Sequence, residues 1–269
     1  YEPTSVLKEN GDTSLAVGLK ALAEGKGDAM VSAGSTGALA VGATFITKRI
    51  KGIKRPAIAT VIPTPKSRFL LVDAGANAEC RPEMLLSFGV MGAKYVELSM
   101  GVKNPRVGLL NNGTEDTKGD KLRVETYQLL KNSPLNFVGN IEAREVMSDK
   151  CDVLVTDGFS GNIVLKLSEG VALSFYGLIK QAFVRGTISK LAALMVKKNL
   201  RSMKKLMDYS EVGGAPLLGV KKAVIKAHGS SNERAFKNAI RQANAFASSG
   251  AITAISEFYQ NGDEPDDRA

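Results

Sequence analysis

Tryptophan is absent from the 269 residues, histidine occurs once, as His228, and aromatic residues make up only 6% of the chain. A single histidine leaves no histidine-cluster metal site and no two-histidine mechanism. Two cysteines, Cys80 and Cys151, are too few for a disulfide framework or a cysteine-rich zinc site, and they suit a reducing compartment. No apolar run reads as reaching the ~18 residues of a spanning helix. The longest weakly polar stretch, Ala29 to Thr47, is broken by Ser32, Ser35 and Thr36 and by Gly34, Gly37 and Gly42. No charged-then-apolar leader follows Tyr1. The first residue is not Met, so the chain reads as a piece whose natural start lies upstream.

What is present is ordinary for a globular protein: 44% hydrophobic and 23% charged residues, which excludes disordered and collagen-like chains. The formal net charge is +9. Between Lys180 and Lys226, eleven Lys or Arg stand against two acids, Asp208 and Glu211, so this segment holds the whole excess. A local basic patch attracts an acidic partner: nucleic acid, an anionic membrane or an acidic protein. Few aromatics and no tryptophan speak against stacking on nucleic-acid bases. The plainer reading is a solvated helix face.

Short apolar segments alternate with helical patterns. Residues 28–32, 58–62, 69–73, 107–110, 136–139, 153–156 and 223–227 read as buried strands. Residues 13–24, 37–49, 82–100, 120–131, 161–184 and 231–259 read as helices. Such alternation predicts an α/β fold, a three-layer α/β/α sandwich around a mostly parallel sheet, in a single domain over 1–269. One stretch stands outside it. Ile188, Leu191 and Met195, then Val196, Leu200, Met203 and Met207, fall at steps of three and four. Lys197, Lys198, Arg201, Lys204 and Lys205 lie mostly between them. This predicts a basic amphipathic helix within a projecting segment, 186–212. Its apolar stripe has three possible destinations: a membrane or carrier protein, a dimer partner, or the core.

Six strands run into polar loops. These are Ala33-Gly34-Ser35-Thr36-Gly37, Ala74-Gly75-Ala76-Asn77, Asn111 to Gly119, Asn140 to Arg144, Asp157-Gly158-Phe159-Ser160-Gly161-Asn162, and His228-Gly229-Ser230-Ser231. In open parallel sheets, ligands bind beyond the carboxyl ends of the strands. Glycines let the backbone approach closely, and helix N-termini present free N–H groups that favour phosphate. Each loop alone is ordinary turn chemistry. Together they predict one phosphate-handling cleft. Neither the dinucleotide G-x-G-x-x-G nor the P-loop pattern is present, which speaks against an oxidoreductase or a nucleotide-driven enzyme.

These loops, in this order, closely resemble those of the bacterial phosphate acyltransferase family (PlsX type). The residues that carry the likeness are Ser32-Ala33-Gly34-Ser35-Thr36-Gly37-Ala38, Asp73-Ala74-Gly75-Ala76-Asn77, Arg106 to Asn111 with Glu115 and Lys118-Gly119, Asn136 to Asn140 with Glu142, Asp157-Gly158-Phe159 with Gly161-Asn162, and Lys226 to Ser231. The resemblance implies a phosphotransacetylase-like fold. It implies transfer of a fatty acyl group from acyl-acyl-carrier-protein to inorganic phosphate, giving acyl phosphate for a membrane glycerol-3-phosphate acyltransferase in phospholipid synthesis. It implies no metal and no organic cofactor, a homodimer, and a cytoplasmic protein with a peripheral contact on the inner face of the cell membrane. Two features depart from the family: its opening strand with an Asp-Ala-Met-Gly-Gly-Asp loop has no counterpart here, and Ser35 stands where the family usually has Asn. The alternatives are an acyl-CoA/phosphate transferase of phosphotransacetylase type and a basic binding module for anions or nucleic acid.

Such a transfer passes through a tetrahedral oxyanion. Phosphate is already anionic near neutral pH, so the site needs donors and cations more than a strong base. The expected catalytic residues are Lys226, His228, Asn162 and Lys118, with Lys166 as a further cation. Gly34, Ser35, Thr36, Gly37, Asn77, Asn111, Asn140, Asp157, Gly161 and Ser230 are expected to hold phosphate or substrate. Asp157 and Glu115 carry the wrong charge for phosphate and fit better as groups that orient a lysine or cap a helix. His228 is either a proton donor to the leaving thiol or a hydrogen-bonded structural histidine. Leu200, Met203, Lys197, Lys198, Arg201 and Lys204 are the expected membrane or carrier contacts.

Overall fold

The structure is a computed structural model that describes residues 2–7, 11–206 and 213–260, with the side chains of 201–206 left aside. Eight strands form one sheet in the order β1-β8-β7-β2-β3-β6-β4-β5. The strands are β1 (Ala29–Ser32), β2 (Ala57–Pro63), β3 (Arg68–Val72), β4 (Arg106–Asn111), β5 (Asn136–Glu142), β6 (Val153–Val155), β7 (Ala215–Leu218) and β8 (Ala223–Lys226). The α-helices are α1 (Ser14–Ala23), α2 (Thr36–Gly42), α3 (Pro82–Met100), α4 (Lys121–Lys131), α5 (Gly158–Val184), α6 (Thr187–Leu206), α7 (Glu233–Ser248) and α8 (Ala251–Gln260). The expected helix over 231–259 is two helices. Gly250 adopts a left-handed φ of 77° between them, a conformation glycine supplies without strain. The expected helix over 37–49 passes from α2 into a π-helical turn, Ala43–Lys48.

Side chains alternate across the strands and build a core on each face. Leu70, Val72, Val107, Val153 and Ile225 pack against Leu85 and Phe88 of α3 and Phe246 of α7. Phe69, Leu71, Leu154 and Val224 point the other way, onto Leu19 and Leu22 of α1 and Leu39 of α2. This period of two, read on both faces, makes the three layers.

Strand direction decides where the loops go. β3, β6, β4 and β5 run parallel to one another. β2 is antiparallel to both β3 and β7, and β7 is antiparallel to β8, beside which β1 lies parallel. Each antiparallel step reverses the chain, so β1 and β8 point against β3, β4, β5 and β6. The expectation that six loops share one edge is therefore corrected. Four lie beyond one edge of the sheet, and the loops after β1 and β8 lie beyond the other.

One further expectation fails. The chain does contain a helix long and apolar enough to cross a membrane: α5, 27 residues, whose most apolar window has none of its residues buried. Its single glutamate and few lysines are spread among glycines and serines, which hid the apolar character from a search for uninterrupted runs. α5 packs against α6, and large apolar side chains on both are open to solvent, among them Phe159 (64%), Leu167 (64%), Ile188 (82%) and Met195 (87%).

Candidate active site

At the end of β3, the fully buried Asp73 gathers the following loop around its carboxylate. It accepts from the backbone N–H groups of Gly75 (3.1 Å), Ala76 (3.0 Å) and Asn77 (2.6 Å), and from Ile58 N–H across the sheet (3.1 Å). Burial pushes its carboxyl above the usual range, and these donors pull the other way. The Asn77 side-chain amide donates to Asp73 (2.9 Å) and to the Pro56 carbonyl (2.8 Å). Asn77 was expected to donate to phosphate; here its N–H groups fix the loop.

The loop after β4 is held in the same way. Asn111, the last residue of β4, donates its amide to the Lys118 carbonyl at 2.9 Å, closing the loop on itself. Asn140 lies inside β5, not in the loop after it, and donates to the Glu115 carbonyl at 2.7 Å. Lys118 is thereby presented half-exposed, its Nζ 4.0 Å from the Glu115 carboxylate.

Two helix N-termini complete this edge. Asp120 caps α4 and Asp157 caps α5, each accepting from the N–H three residues on. Arg123 joins them: its guanidinium donates to Asp120 (2.9 Å), to Ser160 Oγ (3.0 Å) and to the buried carboxylate of Asp157. Asp157 thus caps a helix and orients an arginine, and its carboxylate is occupied by those two tasks. Arg123 was missed in the sequence. The available signal was Asp120-x-x-Arg123 directly after Gly119, a helix start whose third residue can reach back to its cap. The first turn of α5 lies on the Asp73 loop, with Gly158 N–H donating to the Asn77 carbonyl at 2.7 Å. A Cβ at Gly161 would fall 1.9 Å from the Asp73 carbonyl oxygen, so only glycine permits the contact. Asn162, exposed on the next position, stands beside Gly75.

Lys118, on the loop after β4, and Asn162, near the start of α5, therefore belong to one hydrogen-bonded unit at the positive end of that helix. Beneath them, Asn140 Oδ1 and Thr156 Oγ1 are buried without a hydrogen-bond partner among the described residues. Lys166, one turn further along α5, pairs with Glu169 at 2.9 Å. Cys80 is no nucleophile, since burial, first, and Asp73 push its thiol up to about 12.

The other edge carries a second group. Ser32 accepts Gly34 N–H at its hydroxyl (3.2 Å) and Ala227 N–H at its carbonyl (2.9 Å), holding the two loops together. Ser35 caps α2, which begins at Thr36 and Gly37. Lys226, half-buried, extends to the Ala227 carbonyl and has no ion-pair partner among the described residues; burial holds its ammonium below the ordinary lysine value. His228 Nδ1 lies 2.7 Å from Ser230 Oγ and accepts Ser230 N–H at 3.2 Å. In α6, Lys197 and Lys198 are exposed and Leu200 is half-buried, while the side chains of Arg201, Met203 and Lys204, and residues 207–212, lie outside the described set.

The sequence profile of the family described as "Fatty acid synthesis protein" matches residues 1–254. The phosphate acyltransferase of Alkaliphilus oremlandii is 51% identical over 95% of this chain and 76% of its own length. That of Lysinibacillus sphaericus is 48% identical over 97% of this chain and 79% of its own. Among solved structures, a phosphotransacetylase from Streptococcus pyogenes superposes with a TM-score of 0.60 at 20% identity, covering 89% of this chain and 70% of that one. A branched-chain phosphotransacylase from Enterococcus faecalis gives 0.57 at 14% identity, covering 87% and 79%. At such identities the structures speak for the fold alone.

Proposed function

The chain belongs to the fatty acid synthesis protein family, whose named members are phosphate acyltransferases, and from that premise we propose that it takes its acyl group from an acyl-acyl-carrier-protein and passes it to inorganic phosphate. It is a transferase of lipid biosynthesis. The observation that supports the reading is the single hydrogen-bonded unit that offers Lys118 and Asn162 at the start of α5. A phosphate oxygen attacks the thioester carbon, a C–O bond forms, the C–S bond breaks, and the thiolate leaves with a proton from solvent or from His228. Phosphate needs holding and the carbonyl oxygen needs donors as it becomes anionic; a lysine, an asparagine amide and aligned backbone N–H groups supply both. Lys226, Ser230 and the Gly34-Ser35-Thr36-Gly37 turn are the second set of donors.

Phosphate-dependent release of carrier-protein thiol is the direct test. Lys118→Ala and Asn162→Ala are expected to lower turnover about 10²–10³-fold, the usual effect of losing one preorganised donor. Both side chains are exposed or half-exposed, so the melting temperature should stay at the wild-type value. Wild-type turnover in both variants removes these residues from the site.

In the same reading the enzyme works as a cytoplasmic homodimer, with α6 as its contact with the acidic carrier or an anionic membrane, from which acyl phosphate passes to a membrane glycerol-3-phosphate acyltransferase. Exposed Ile188, Leu191 and Met195 with Lys197 and Lys198 support that role for α6. Leu191→Asp with Met195→Asp should abolish flotation with phosphatidylglycerol vesicles while leaving the thermal melt in place. Unchanged flotation ends the membrane part of the reading.

A further inference from the structure

We propose that the basic surface formed by the loops 48–55 and 219–222 is where the acidic carrier protein docks to present its thioester to Lys118 and Asn162. The proposal rests on the acyl-to-phosphate reading above and deepens it by placing the acyl donor. Its first support is charge. From Ala29 to Val72 the chain has no Asp or Glu, and within that stretch Lys48, Arg49, Lys51, Lys54 and Arg55 follow closely on one another. From Val212 to Asn232 there is again no acid, and this second stretch holds Lys221 and Lys222. The fold joins the two runs. Lys221 N–H donates to the Lys48 carbonyl and Ile50 N–H to the Gly219 carbonyl, both at 3.0 Å, and Arg49 bridges to Val220. Ile50, Ile53 and Val220 are buried, so the loops turn their apolar side chains into the core and their charges outward. Lys48, Lys51, Arg55 and Lys221 are exposed with no ion-pair partner among the described residues, and Lys54 reaches Glu83 at 3.8 Å.

The second support is place. β2 starts at Ala57 and lies antiparallel to β3, so that start stands beside the end of β3, where Asp73 gathers its loop. The pairing of Ala57 with Leu218 brings the turn after β7 to the same edge. The connection to the site is direct. The Pro56 carbonyl, next to Arg55, accepts the Asn77 amide at 2.8 Å. The Asn77 carbonyl in turn accepts the N–H of Gly158, the first residue of α5, at 2.7 Å. A basic rim therefore adjoins the unit that offers Lys118 and Asn162. A donor that delivers a thioester carbon there must rest its own body alongside, and a body of opposite charge is steered to that place. A bilayer fits this surface less well, since membrane contact calls for apolar side chains beside the lysines, and here those are buried. Nucleic acid fits less well too, since 48–55 and 219–222 hold no aromatic residue to stack on a base. On this assignment α6, with exposed Ile188, Leu191 and Met195, keeps the membrane.

Reversal of charge is the test. Lys51→Glu, Arg55→Glu and Lys221→Glu are combined in one chain. All three side chains are exposed, so the thermal melt should match that of the wild type. Binding of purified acyl carrier protein at low salt, followed by calorimetry, should weaken at least about 10-fold. In phosphate-dependent thiol release from the acylated carrier, KM should rise by the same factor while kcat at saturating carrier stays near the wild-type value. The wild-type KM should also rise with added salt, and the triple variant should lose most of that dependence. Lys197→Glu with Lys198→Glu, on α6, should leave carrier affinity unchanged. Wild-type carrier affinity in the triple variant overturns the proposal, as does a fall in kcat at unchanged KM, or a loss of carrier affinity confined to the α6 variant. If the triple variant does not fold, Lys51→Gln with Lys221→Gln adds no acid and should still weaken carrier binding, by a smaller factor; no weakening overturns the proposal. Loss of flotation with phosphatidylglycerol vesicles at unchanged carrier affinity overturns it as well, in favour of a membrane surface. Wild-type protein that binds the carrier but releases no thiol with phosphate sinks the acyl-to-phosphate reading instead and leaves the docking result standing.

Discussion

Gly161→Ala is expected to cost about 1–3 kcal/mol of stability, the usual range for overpacking a closed site, and to remove nearly all turnover. The added methyl would meet the Asp73 carbonyl oxygen at 1.9 Å and its carbon at 3.0 Å. Both belong to backbone that Asp73 itself pins through its carboxylate, so neither can give way cheaply. The first turn of α5 must move instead, and Asn162 moves with it. Gly170→Ala on the same helix is the control. Its methyl meets nothing within 4 Å, and replacing glycine by alanine in an exposed helix should add up to about 1 kcal/mol. Thermal melts and thiol release on the two variants separate a local clash from a general intolerance of α5 to substitution. A Gly161→Ala protein with full turnover would show that the docking of α5 on the β3 loop does not matter.

Arg123→Met is expected to be more destabilising, at about 3–5 kcal/mol, because it leaves the buried Asp157 carboxylate without its ion-pair partner. The two side chains are only 15% and 6% exposed, so water cannot take over the role. Asp157→Asn should cost less, since an asparagine still caps α5. The pair Arg123→Met with Asp157→Asn should then be more stable than Arg123→Met alone, a coupling that chemical denaturation of all four proteins would measure. Arg123→Lys should not restore the wild type. One ammonium cannot span Asp120, Asp157 and Ser160, which the guanidinium fork reaches together. Strictly additive losses would mean that the arginine and the carboxylate act independently.

Much of this arrangement was legible in the sequence. The short apolar segments marked seven strands, and the helices read from Thr13, Asp120 and Gly161 begin within a few residues of the observed starts. β7 was hidden because Ala215-Pro216-Leu217-Leu218 is short, contains a proline and is bracketed by Gly214 and Gly219, so it reads as a loop. The chemistry of the loops was also legible, residue type by residue type. Their partition between two edges was not, because direction in a mixed sheet is set by pairings between strands far apart in sequence. For the same reason Asn77, Asn111 and Asn140 looked like ligand donors. Only the folded chain shows that their amides are aimed at the carbonyls of Pro56, Lys118 and Glu115.

The pairing of β1 with β8 bears on how the molecule is made. β1 stands at the end of the sheet with β8 as its neighbour, and Ala29 meets Ala223 about two hundred residues later in the chain, a separation that makes closure slow. On the ribosome, β1 emerges well before β8 and waits for it until the residues between them have been synthesised. β3, β6, β4 and β5, by contrast, all lie between residues 68 and 142 or at 153–155 and can assemble while the rest is still being translated. The edge that carries Lys226 is thus completed last, and a nascent chain stopped before residue 223 holds the Lys118 edge without it.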